Sequence, residues 1–113
     1  MTHYLTPNRE RLHSLLTTPN LVQKTDGLGR WWDPTQPTCF LGYIYRLMRP
    51  EQLGPDVRLN TPGYNTAAEW LSITYDQLCV LVDDNDNEVP LSTLSSRLLS
   101  LPIHTLTSNL EHH

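Results

Sequence analysis

Cys39 and three scattered histidines are the residues with which this chain could do nucleophilic chemistry. A reactive thiol needs a lowered pKa, supplied by a helix N-terminus or a neighbouring base. Cys39 stands near the predicted start of a helix, and His13 or His104 could act as the base. That combination defines one catalytic reading, a small cysteine-dependent hydrolase or transferase. Against it, Phe40 and Leu41 follow directly, and neither histidine lies in a recognisable partner motif. A cysteine inside an apolar helical run ordinarily behaves as a small buried hydrophobe. Cys39 is therefore the one candidate nucleophile, and no catalytic residue is assigned.

Metal and phosphate chemistry find less support. Asp83, Asn85 and Asn87 fill positions one, three and five of an EF-hand loop, but Glu88 replaces the bend glycine and Leu94 the bidentate glutamate. Starting at Asp84 puts Val89 and Ser95 in those places, so the acids read as a turn that caps the next helix. His3, His13 and His104 are isolated, and the two cysteines lack paired Cys-x-x-Cys spacing. Gly27-Leu28-Gly29 lacks the third glycine of a phosphate loop. No metal and no cofactor is expected.

Trp31 and Trp32 are the candidate binding residues. Adjacent side chains in an extended arm face opposite sides, so one ring is expected to remain exposed and to contact a partner or a second copy. The competing reading buries that ring beneath the loop from Arg49 to Asn65.

The elements that must position these groups are helices. Thr6-Pro7 opens the first, with Leu12, Leu15 and Leu16 on its face and Pro19 at its end. Leu21–Lys24 and Arg30–Trp32, around Asp26-Gly27, allow one short β-hairpin near residues 21–32. A second helix is predicted from Thr38 to Met48, with Phe40, Tyr43, Ile44 and Leu47 on one face. Gly42 in its interior costs about 1 kcal/mol against Ala, which implies close approach of another backbone and a central position. The loop from Arg49 to Asn65 allows a helical turn at Glu51 to Leu53. Thr66–Glu69 reads as a capping box leading into Trp70, whose burial the helix explains.

Trp70 to Leu101 reads as two apolar helices joined by the acidic turn Asp83–Glu88. Leu71, Tyr75, Leu78 and Val82 mark the first stripe, with a restart at the Thr74–Gln77 capping box. Leu91, Leu94, Leu98 and Leu101 mark the second, opened by Pro90 and stopped by Pro102. The expectation is a mainly α, single compact domain of four to five helices over residues 1–109. Leu110–His113 resembles the start of a purification tag.

The chain has 113 residues, enough to bury a core without staples. Eight basic against twelve acidic residues give a formal charge of −4, which argues against nucleic acid as a partner. Two cysteines make no disulfide framework. No apolar run reaches membrane-spanning length and the N-terminus lacks a signal-peptide core, so the expected compartment is the cytoplasm. The leading functional expectation is a non-enzymatic accessory protein that binds another protein or itself; no small-molecule ligand is assigned.

Cys39-Phe40-Leu41-Gly42-Tyr43-Ile44 resembles the Cys-x-x-Gly-Ala-Leu helix of a family of short uncharacterised bacterial and phage proteins, classed as a domain of unknown function. Asn85-Asp86 with Leu98-Leu99 is similar to that family's Asn-Asp turn and final amphipathic helix. The likeness runs from Arg9 to Leu101 and implies a compact helical fold and no known activity.

Overall fold

The computed structural model describes residues 3–48 and 63–104. The expectations for the rest of the Arg49–Asn65 loop, for a turn at Glu51–Leu53 and for Leu110–His113 lie outside the described residues. Among the described residues five helices follow in order: α1 (Pro7–Leu16), α2 (Phe40–Met48), α3 (Tyr64–Leu71), α4 (Tyr75–Asp86) and α5 (Leu91–Leu99). The fold is mainly α, as the periodicities predict.

Helix α2 lies at the centre, with Phe40 to Tyr45 and Met48 buried. It packs against α1, α3 and α4, while α5 closes the far side against α1 and α4. Gly42 is required there for a reason other than the expected backbone approach. A methyl group at this position would overlap Thr38 Oγ1 and stand 2.8 Å from Thr38 Cβ. Thr38 is itself fixed, because its hydroxyl donates to the Leu28 carbonyl at 2.6 Å.

Local capping signals set several boundaries. Thr6 caps α1 with Pro7 in its first turn. Both arms of the Thr74–Gln77 capping box are present, so α4 restarts after α3 as the sequence implies. The Thr66–Glu69 box does not form. Helix α3 starts from Gly63, which puts Thr66 inside the helix and brings Ala67, Ala68, Trp70 and Leu71 to its buried side.

Two further expectations need correction. Asp83 to Asp86 is helix, not turn, and α4 ends in a Schellman motif. Val89 N–H donates to Asp84 O, Glu88 N–H donates to Asn85 O, and Glu88 takes φ 66°. Nor does a hairpin form over residues 21–32. The extended pairing in this region is an isolated parallel bridge between Gln23 and Thr38. Side chains supply the missing partners: Arg46 donates to the carbonyls of Trp31, Asp33 and Gln36, and Asn85 donates to that of Lys24.

Candidate functional site

Cys39 directly precedes α2, and its carbonyl accepts from Tyr43 N–H. Burial pushes its thiol pKa up, although the N–H groups of Gly42 and Leu41 at the helix start pull the other way. The thiol is 6% exposed, so it is neither activated nor open to a large substrate. His13, one proposed base, is committed elsewhere: its Nδ1 shares a 2.7 Å hydrogen bond with Ser95 Oγ. The backbone N–H of His104 donates to Ser72 O. His13 and Ser95 resemble a base–nucleophile pair, but Ser95 is fully buried between α1 and α5 and serves to join them.

Trp31 is 1% exposed and stacks edge-on against Tyr45 at 5.4 Å and against Trp32 at 6.1 Å. Trp32 is half-buried and packs on the core. The ring pair therefore anchors the 21–37 segment to α2, and Trp31 offers no contact surface.

Two buried polar side chains tie the helices together. Arg9 is fully buried on α1, and its partners among the described residues are backbone carbonyls. Its Nε donates to Leu71 O, Nη1 to Tyr4, Leu98 and Leu101, and Nη2 to Ser72 and Pro102. These carbonyls lie chiefly at the C-terminal ends of α3 and α5, where the helix dipoles favour a cation. Burial lowers the guanidinium pKa, yet arginine stays protonated. Asn85, buried in the last turn of α4, accepts from Phe40 N–H at 3.1 Å and Gln23 Nε2 at 3.0 Å. Its side chain is thereby committed to the start of α2 and is turned away from any loop that could hold calcium.

One open apolar feature lies between α4 and α5. Gln77, Val80, Leu81, Asp84, Arg97 and Leu101 line a cleft of about 310 Å³. Val80 is 59% exposed at its edge. Asp84 and Arg97 form an exposed ion pair of 2.6 Å on the same face. A surface pair of this kind stabilises little by itself, but it marks both signs of charge beside an apolar strip. Sequence reasoning passed over Val80, and the signal was present. Leu78-Cys79-Val80-Leu81-Val82 is a run of five, more than one helix face can bury.

Comparison with known families, curated proteins and solved structures gives no match. Among the described residues no helix is long and apolar enough to cross a membrane, and no group of three or more His, Cys, Asp or Glu could hold a metal.

Proposed function

We propose that this chain is a non-enzymatic interaction protein that pairs with a second copy of itself through the α4–α5 face. The observation that carries the reading is Val80, a β-branched apolar side chain held open above the cleft of Leu81 and Leu101. A twofold pairing is isologous, so each face must complement itself. This one can, since Asp84 of one copy can meet Arg97 of the other around a shared apolar centre. The cysteine-dependent alternative has a buried thiol of raised pKa against it.

Light scattering over a concentration series tests the proposal. The wild type should approach twice the mass of one chain at high micromolar concentration. Val80→Asp should raise the dissociation constant at least about tenfold, or about 1.4 kcal/mol, with an unchanged helical dichroism spectrum. A wild type that stays monomeric throughout, or a Val80→Asp chain that associates equally well, would refute it.

A further inference from the structure

A second cleft opens on the opposite flank of α4, between α2, α3 and the Gly27-Leu28 segment, with a volume of about 370 Å³. That lies within the range of small-molecule sites, roughly 300–1,000 Å³. Leu28, Leu41, Val82 and the largely buried Cys39 form its apolar walls, Tyr45 and Tyr64 add aromatic faces, and Asp86 stands at its exposed edge. Among the described residues that line it, none is Lys, Arg or His.

The charge of this cleft is negative from two sources. Asp86 is the last residue of α4, so its carboxylate adds to the negative end of the helix dipole. It forms no ion pair with a base among the described residues, unlike Asp84 two residues earlier on the α5 side. Burial raises the pKa of the Tyr64 phenol, and the nearby Asp86 carboxylate adds to that rise. Tyr45 and Tyr64 line the cleft, and aromatic faces attract cations. Apolar walls, ring faces and a carboxylate with no ion pair among the described residues together match an ammonium group carried on an apolar body.

We propose that this cleft binds a small organic cation, with its ammonium group against Asp86 and its apolar body between Leu28, Leu41 and Val82. The site is separate from the α4–α5 face, so either proposal can fail without the other.

Calorimetric titration with 2-phenylethylammonium, and with neutral 2-phenylethanol as its control, tests the assignment on the full chain. Saturable binding of the ammonium is expected, at least about tenfold tighter than that of the alcohol, the ratio equivalent to one pKa unit. Asp86→Asn should remove that advantage while leaving the helical spectrum intact. Val82→Lys, which tethers an ammonium inside the cleft, should block binding as well. Absence of saturable heat with the wild type would overturn the proposal. So would equal affinity for the alcohol, or undiminished ammonium binding by Asp86→Asn or by Val82→Lys.

Discussion

Arg9 holds carbonyls from the ends of two helices and from the N-terminal segment. Removing it would strand several buried acceptors at once, and each unsatisfied group costs about 1–3 kcal/mol. Arg9→Met should therefore lower stability by about 3 kcal/mol or more in urea unfolding. Arg9→Lys should recover only part of this, because a point-like ammonium cannot span the fork of partners. Full stability of Arg9→Met would mean that water satisfies those carbonyls. The position was readable in the sequence: Arg9, Leu12 and Leu16 lie on one helical stripe, though nothing local names the carbonyls that Arg9 meets. Gly42 is a second case. Gly42→Ala should cost about 1–3 kcal/mol through overpacking, and less in a Thr38→Gly background, since the atoms it would overlap belong to Thr38. Equal costs in the two backgrounds would place the strain elsewhere.

At the scale of elements, the signals that succeeded are those whose chemistry is complete within four residues. The Thr74–Gln77 box and the Thr6-Pro7 start need no distant partner. The hairpin failed because its arms find long-range partners, Arg46 and Asn85, that a local turn signal cannot reveal. The acidic run was misplaced because Asn85 faces the core on the stripe of Leu78 and Leu81, and this draws the helix through Asp86. The closing turn after α4 then holds Glu88 in the left-handed region, which costs an L-residue roughly 1–2 kcal/mol. Glu88→Gly should release part of that strain, offset by glycine's unfolded-state entropy, for a net gain of about 0.5–1 kcal/mol. A loss of stability would indicate that the Glu88 side chain makes a contribution of its own.

For the whole molecule, the titratable groups buried around α2 predict sensitivity to alkali. Burial raises the Cys39 thiol and pushes the Tyr45 phenol up to about 12, so the fold favours both neutral forms. Their contribution is complete below the unfolded-state values of roughly 8.5 and 10 and is lost as pH rises through the folded ones. The urea midpoint should hold steady from pH 7 to 8 and fall between about pH 9 and 12; a midpoint unchanged at pH 11 would contradict this burial. The helical class was legible from the hydrophobic period, and the central place of α2 from the interior Gly42, although Gly42 makes room for Thr38 rather than for another backbone. The candidate surface was not, because exposure of Val80 depends on which members of an apolar run the other helices cover. Self-association through that surface is the central claim, and amide chemical shifts followed on dilution test it most directly. The claim predicts concentration-dependent shifts clustered at Gln77, Val80, Leu81, Asp84, Arg97 and Leu101. Shifts that do not move on dilution, or that move around Trp32 and the 21–37 segment while α4 and α5 stay fixed, would contradict it.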